Sequence, residues 1–398
     1  MSQTIAAAQE YMSEHQLDGW LLRDYFNANP ILWAVLGGQA HNVTRPCWLF
    51  IPPHGQATVL AHSVDTGRFR ELFAGWNEDA PQILEWPSRQ RLLAGLKQLL
   101  PARGRIAMEY SPEGALPRVG RVDAGSVELV RGLGVEIVSS GDVLQYATER
   151  WDDKQLASHR FAAAALGRIV HDTFKFVAEN VNWKLTEHDV AQFIRGRYDR
   201  LGLEASDGPI ASVGPHSSDP HYEPTPERAA VVRKGSWLLI DLWARQKGDP
   251  ASIYADITWT CYVGRNPTPQ HRKVFEAVRD ARDAAVEFMA ASWKAGNPIE
   301  GWQVDRAARD LIEARGFGNA FVHRLGHSLG RSVHSNAVNL DDWETRDTRR
   351  LIAGIGVTVE PGIYLPDFGV RSEIDVYLTP EGPEVTTEVQ TEIALLDI

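Results

Sequence analysis

The sequence predicts an α+β protein with a smaller α/β domain at its N-terminus, and three observations carry that prediction. Helical and strand patterns alternate through residues 1–150, as in an α/β layer. From residue 151 onward, long helical stretches with apolar stripes are interspersed with short apolar strands. The composition, 43% hydrophobic and 23% charged over 398 residues, is that of a globular chain with room for two ordinary domains.

Taken in order, "TIAAAQEYMSEHQ" reads as a helix and "GWLLRD" as a short apolar strand. "CWLFIPPHGQATVLAH" reads as a hairpin, two apolar runs around "PPHGQ". "RIAMEY" and "VEIVSS" are further buried strands. No cluster of catalytic residue types occurs here, so 1–150 reads as a supporting domain. The polar stretch "SSGDVLQYATERWDDKQ" marks the boundary, and 151–398 forms the second domain. A long helix follows in "KQLASHRFAAAALGRIVHDTFKFVAEN" and another in "LTEHDVAQFIRGRYDRLGL", where Thr186 and Asp189 resemble a capping box. Two more helices, "KVFEAVRDARDAAVEFMAASWKAG" and "GWQVDRAARDLIEARGFG", carry core-facing stripes. "SWLLIDLWA", "YADITWTCYVG", "GVTVEPGIYL" and "GVRSEIDVYLTP" are strand-like, and the expectation is helices packed on one largely antiparallel sheet.

The net charge of −11 repels nucleic acid and anionic membranes. The densest basic stretch, "TRDTRRL", reads as a solvated loop or helix end. Cys47 and Cys261 lie in apolar contexts and are expected to be buried free thiols. No apolar run approaches the ~20 residues that span a bilayer, and acidic residues stand where a signal peptide would be apolar. A cytoplasmic protein without nucleic-acid or membrane partners is expected.

The octapeptide "HRLGHSLG" at 323–330 is open by itself to three readings: a metal site, a helical turn with a histidine face, or a basic patch. The strands carry acids in costly places. Asp241 ends the apolar run "WLLI", Asp256 sits inside "YADITWT", Glu360 follows "GVTV" and Glu373 lies in "VRSEIDVYL". A carboxylate in an apolar strand needs a partner or a metal. Each acid alone is best read as a salt-bridge partner; four in one half-chain, with a glycine-flanked histidine, point to a common cause. A two-metal centre supplies one: four carboxylates balance two divalent cations, and an oxygen-rich set with one imidazole suits Mn, Co or Zn. Two such ions roughly 3.5–4 Å apart can together activate water and polarise a carbonyl.

The order Asp, Asp, His, Glu, Glu, in "IDLWA", "YADITWTCYVG", "HRLGHSLGRSVH", "VTVEPGIY" and "GVRSEIDV", resembles the pita-bread metallopeptidases: methionine aminopeptidase, aminopeptidase P and prolidase. The resemblance covers 151–398 well, and more weakly extends to the N-terminal creatinase-like domain of prolidases and aminopeptidase P. It implies a pita-bread (creatinase/aminopeptidase-like) catalytic domain holding two divalent ions, with manganese expected and cobalt or zinc possible. Asp241 would chelate one ion, Asp256 and Glu373 would bridge both, and His327 and Glu360 would hold the other. His323 would shape the substrate pocket, His334 would contact substrate past the scissile bond, and His221 would stabilise the tetrahedral intermediate. Arg371 matches an arginine beside the last bridging glutamate. Glu360 would carry a proton from the nucleophile to the leaving nitrogen. The implied activity is hydrolysis of Xaa-Pro bonds in dipeptides by a hydroxide bridging two metals, in a homodimer whose partner molecule is a small peptide.

The sequence departs from that family where pocket walls are built. "DLG" has become "DLW", "DITRT" is "DITWT", "GHGIG" is "GHSLG", and "VHE" or "VHD" is "VHS". The stretch from Asp241 to Asp256 is longer than usual; the loop is expected to narrow the cleft, and one of its cations, Arg245 or Lys247, to attract a dipeptide's carboxylate. The alternatives are an Xaa-Pro aminopeptidase for longer peptides, a metal-free hydrolase on the same fold, and a binding protein that lost catalysis.

Overall fold

In the computed structural model, residues 3–37, 43–76 and 80–398 are described. The chain divides into two compact units, Met1–Arg150 and Trp151–Ile398.

The first unit holds strands β1 (Gly19–Asp24), β2 (Cys47–Ile51), β3 (Thr58–His62), β4 (Gln82–Trp86), β5 (Arg105–Met108) and β6 (Glu136–Ser139). They form one mixed sheet in the order β4-β3-β2-β1-β5-β6. Around it stand helices α1 (Gln3–Glu14), α2 (Pro30–Val35), α3 (Thr66–Phe73), α4 (Arg89–Leu99), α5 (Ala124–Arg131) and α6 (Gly141–Leu144). The strands read as unbroken apolar runs because both faces are covered. Trp20 and Leu22 of β1 enter one core cluster, while Leu21 between them enters another.

The second unit opens with α7 (Asp153–Asn180) and α8 (Glu187–Leu201), and both start at capping boxes, Asp152 with Gln155 and Thr186 with Asp189. Then come β7 (Leu203–Glu204), β8 (Ile210–Val213), β9 (Trp237–Gln246) and β10 (Ala255–Tyr262), followed by α9 (Pro269–Lys294) and α10 (Gly301–Ala314). The remaining strands are β11 (Ser328–Leu329), β12 (Gly356–Val359), β13 (Gly362–Leu365), β14 (Phe368–Arg371), β15 (Ile374–Thr379), β16 (Gly382–Val385) and β17 (Ala394–Leu395). Leu166, Ile169 and Ile194 of α7 and α8 pack on Ile240 and Ile257 of β9 and β10. Val278 and Val304 of α9 and α10 join Val357 and Val376 of β12 and β15 in a second core. No helix of the described residues is long and apolar enough to cross a membrane.

The α+β class is as predicted, but the strands do not form one sheet. β17-β10-β9-β7, with β8 also on β9, make a five-stranded sheet; β11-β12-β15-β16 make another; β13 and β14 pair separately. The cause is local. "GVTVEPGIYL" breaks at Glu360–Pro361, where proline cannot donate to a ladder, and "GVRSEIDVYLTP" breaks at Ser372–Glu373. Both breaks fall on candidate ligands.

Two smaller readings resolve differently. "TRDTRRL" is a loop solvated on one side only: Arg346, Thr348 and Arg350 are exposed, while Arg349 and Asp347 are buried and paired, with Arg349 Nη2 at 2.6 Å from Asp347 Oδ2. Arg349 Nη1 donates to the Asn336 carbonyl at 2.6 Å. "HRLGHSLG" is not helical but leads into β11. Its Gly326 permits a close crossing, because a Cβ there would lie 2.0 Å from the Thr358 carbonyl oxygen. Cys47 and Cys261 are buried free thiols.

Candidate metal centre and substrate cavity

Strand periodicity assembles the centre. In the β9–β10 ladder, Asp241 pairs with Thr258 and Trp243 with Asp256, so these four side chains share one face. In the β12–β15 ladder, Thr358 pairs with Asp375 and Val359 with Ile374, which brings Glu360 and Glu373 to the same end of that pair. The Glu373 N–H donates to the Thr258 carbonyl at 3.1 Å and ties the two sheets together.

Ligand atoms of Asp256, His327 and Glu373 lie within 4.8 Å of one another, and all three residues are buried. His327 Nε2 is 3.7 Å from Asp256 Oδ2 and 3.5 Å from Glu360 Oε1. Asp241 is turned instead to Arg371, whose Nη2 forms a short ion pair with Asp241 Oδ2. Arg371 Nε stands 3.9 Å from Glu360 Oε2 and donates to Thr258 Oγ1 at 3.0 Å. Thr258 Oγ1 in turn donates to Glu373 Oε2 at 2.7 Å, so Arg371 reaches Glu373 through a hydroxyl.

The charge of this cluster is unbalanced. Burial, and next the charge of Glu373, push Asp256 well above the usual carboxylate range. Burial and then Glu360 do the same to Glu373. Burial raises Asp241 although Arg371 pulls it down, and it lifts Glu360 to about 7 against the same arginine. Burial disfavours the charge on Arg371, but Tyr364, Asp241 and Glu360 outweigh it and hold its pKa well above the usual range. Four acids facing one guanidinium call for further positive charge. Asp256 Oδ1 is buried without a hydrogen-bond partner. An orphaned carboxylate oxygen, an oxygen-rich donor set and one imidazole fit divalent cations of the Mn, Co or Zn kind.

The cluster forms part of the wall of a cavity of about 440 Å³, which His221, His323 and His334 also line. The His334 ring centre is 4.2 Å from that of His327. His221 follows a turn at Gly214–Ser218, and its N–H donates to Asp219 Oδ1 at 3.0 Å. His323 is neutral, because burial and then the charge of Arg371 lower it to about 3. Its Nδ1 lies 2.7 Å from the Arg324 carbonyl and is therefore the donor, so Nε2 accepts from the Tyr364 hydroxyl at 2.8 Å. Tyr364 also accepts from Arg371 Nη1 at 3.0 Å.

The structure thus brings Asp241, Asp256, His327, Glu360, Glu373, Arg371, His221, His323 and His334 to one cavity. The lengthened 243–255 segment does not contribute the expected cations. β9 continues to Gln246 and pairs with β7, Glu204 opposite Arg245, which carries the extra residues along the sheet. Arg245 Nε donates to Glu204 Oε1 at 3.0 Å, and Lys247 Nζ to Asp199 Oδ1 at 3.0 Å. The cation on the cavity wall beside Arg371 is Arg324, whose Nη1 is 3.3 Å from Glu344 Oε2.

Several contributors were not singled out from sequence. Thr258, two residues after Asp256, and Thr358, two before Glu360, supply hydroxyls from the ligand-bearing faces, and period-two counting could have found both. Tyr364 bridges Arg371 and His323. Asp375 is buried and accepts the Asp256 N–H at 3.0 Å. His159 Nε2 lies 3.9 Å from Asp375 Oδ2, a contact 216 positions apart in the chain that no local pattern announces.

The model of metallopeptidase family M24 matches residues 157–380. An uncharacterized peptidase of Staphylococcus haemolyticus is 31% identical over 266 residues, 65% of this chain and 69% of its own. One from Staphylococcus aureus is 28% identical over 268 residues, 66% and 70% of the two chains. Among solved structures, dipeptidase PepE from Mycobacterium ulcerans aligns with a TM-score of 0.73 at 24% identity, covering 99% of this chain and 97% of that one. The Xaa-Pro dipeptidase from Bacillus anthracis gives 0.64 at 20% identity, covering 98% and 99%. A prolidase from Thermococcus sibiricus gives 0.63 at 23%, covering 98% of each. At these identities the structures speak for the fold.

Proposed function

Because this chain belongs to metallopeptidase family M24, we propose that it is a dinuclear Xaa-Pro dipeptidase. The observation that carries this reading is the buried cluster of carboxylates and one imidazole on the wall of a small cavity. Asp256, His327, Glu360 and Glu373, with Asp241, would hold two divalent ions, with manganese expected. Such ions polarise a peptide carbonyl and make water a nucleophile near neutral pH.

The protein's own groups do the rest. Glu360, a carboxylate on the cavity wall, would take a proton from water and deliver it to the leaving nitrogen. His221, on the cavity wall, would donate a hydrogen bond to the carbonyl oxygen as it gains charge, and His334, on the same wall, would contact the substrate past the scissile bond. An Xaa-Pro bond is a tertiary amide without N–H, so no acceptor is needed opposite that nitrogen. The neutral His323 and its hydroxyl partner Tyr364 hold Arg371 and, through it, Asp241. Arg324, held by Glu344 on the same cavity wall, would offer its remaining N–H groups to the carboxylate that ends a dipeptide. The cavity lies toward the small end of the about 300–1,000 Å³ typical of ligand sites, which favours a short peptide. Solved relatives in fold bear the names dipeptidase and prolidase, which supports the same reading.

The test is metal-stripped protein refilled with Mn, Co or Zn and offered Ala-Pro, Ala-Pro-Ala and Ala-Ala. Hydrolysis confined to Ala-Pro is expected. Faster cleavage of the tripeptide would assign an aminopeptidase, and no cleavage with any metal would remove the peptidase reading.

A further inference from the structure

Trp243 stands where the resembled motif has glycine. It follows Asp241 by two residues on β9 and pairs with Asp256 on β10, so its indole leaves the ligand-bearing face beside the metal centre. There it lines the cavity with Ile210 and Val333, an apolar shelf that starts at the ligands. The shelf is fixed in place. The indole lies against Gly208, where a Cβ would come within 2.4 Å of Trp243 Cζ2. Its Nε1 donates to Asp207 Oδ1 at 2.9 Å, and Ser206 Oγ donates to the same oxygen at 3.1 Å.

Asp207 therefore ends the shelf with a carboxylate that also lines the cavity. Both hydrogen bonds fall on Oδ1, and among the described residues no lysine or arginine pairs with this acid. Of the nearby cations, Lys247 is paired with Asp199, and Arg195 donates from Nε to the Gly208 carbonyl at 2.8 Å. An apolar shelf capped by an anchored anion without a cationic partner matches a long aliphatic stem with a positive head. The face of a tryptophan adds an attraction for that head. An acidic side chain would meet like charge at Asp207.

We infer that Trp243 and Asp207 form the subsite for the first residue of the substrate and select lysine or arginine there. The inference rests on the proposed peptidase reading. Charge would set the direction of the peptide: Arg324, which lines the same cavity and is held by Glu344 at 3.3 Å, would take its terminal carboxylate, which leaves the amino-side residue to Trp243 and Asp207.

The experiment compares kcat/KM for Arg-Pro and citrulline-Pro on the metal-loaded protein, two substrates of nearly the same shape that differ in charge. Arg-Pro should be favoured about tenfold, as for a partly desolvated charge-assisted contact. Asp207→Asn should bring the ratio to about one. A native ratio near one overturns the inference, and so does a native preference that survives Asp207→Asn. Equal loss on both substrates would assign Asp207 to the α-ammonium instead and overturns it too. If no Xaa-Pro peptide is cleaved, the Xaa-Pro reading fails, and the subsite is then decided by calorimetry with arginine amide and citrulline amide. Tighter binding of the arginine amide, lost in Asp207→Asn, supports the subsite; equal affinities overturn it.

Discussion

Replacing Glu360 by Gln should stabilise the metal-free protein at pH 8 and weaken the metal-loaded one. Burial lifts the Glu360 carboxyl from 4.5 to about 7. A carboxyl whose folded pKa is raised contributes stability that is fully present below its unfolded value and is lost as pH rises through the folded one. The window is therefore about pH 4.5 to 7. Each pKa unit is about 1.4 kcal/mol, and the side chain keeps only 15% of its surface exposed. The native glutamate thus costs roughly 2–3 kcal/mol at pH 8. Glutamine has nearly the shape of the protonated acid and no charge to bury. Urea unfolding of both metal-stripped proteins should show near-equal stability at pH 5 and an advantage of roughly 2–3 kcal/mol for Glu360→Gln at pH 8. Comparing the two proteins cancels groups that Glu360 does not perturb, including buried His159 and His323, whose lowered pKa values work in the opposite sense. Glu373 and Asp256 are relieved of a neighbouring charge in the variant and add to its advantage. Added Mn should reverse the order, because the amide is a poorer ligand. A stability difference that does not change with pH, or a variant that stays ahead when metal is added, would refute the electrostatic account of the site.

Asp256→Asn and Glu373→Gln should each lose bound metal and hydrolysis together, measured by elemental analysis and Ala-Pro turnover; full activity in either would end the two-metal reading. His221→Ala and His334→Ala should lower kcat about a hundredfold while metal content holds, and a matching loss of metal would make them ligands or structural residues. Arg349→Met strands the buried Asp347 carboxylate and should cost about 3–5 kcal/mol in urea unfolding; a loss under 1 kcal/mol would mean that the pair behaves as an exposed one.

The separate roles of local pattern and long-range packing show in particular residues. Asp241, Asp256, Glu360 and Glu373 stood out in the sequence because acids at the ends or interiors of apolar strands break a period-two pattern, and each can be read within its own segment. The glycine-flanked His327 is open to three readings by itself and gains its meaning only beside those acids, and its glycine proves to be where two backbones cross. Helices such as α8, with Thr186 and Asp189 at its start, depend on neighbours three residues away and were equally plain. What each side chain faces was decided only by folding. Asp241 meets Arg371 across 130 positions of chain, and Thr258 meets Glu373 across 115. Arg245 and Lys247 lie close in sequence to the ligands, yet strand pairing with β7 carries them to Glu204 and Asp199, while Arg324 takes the cavity wall. Periodicity fixes the face of a strand from which a side chain leaves; the partner on the other side of that face belongs to another segment, and only the packing of sheet against sheet brings it there.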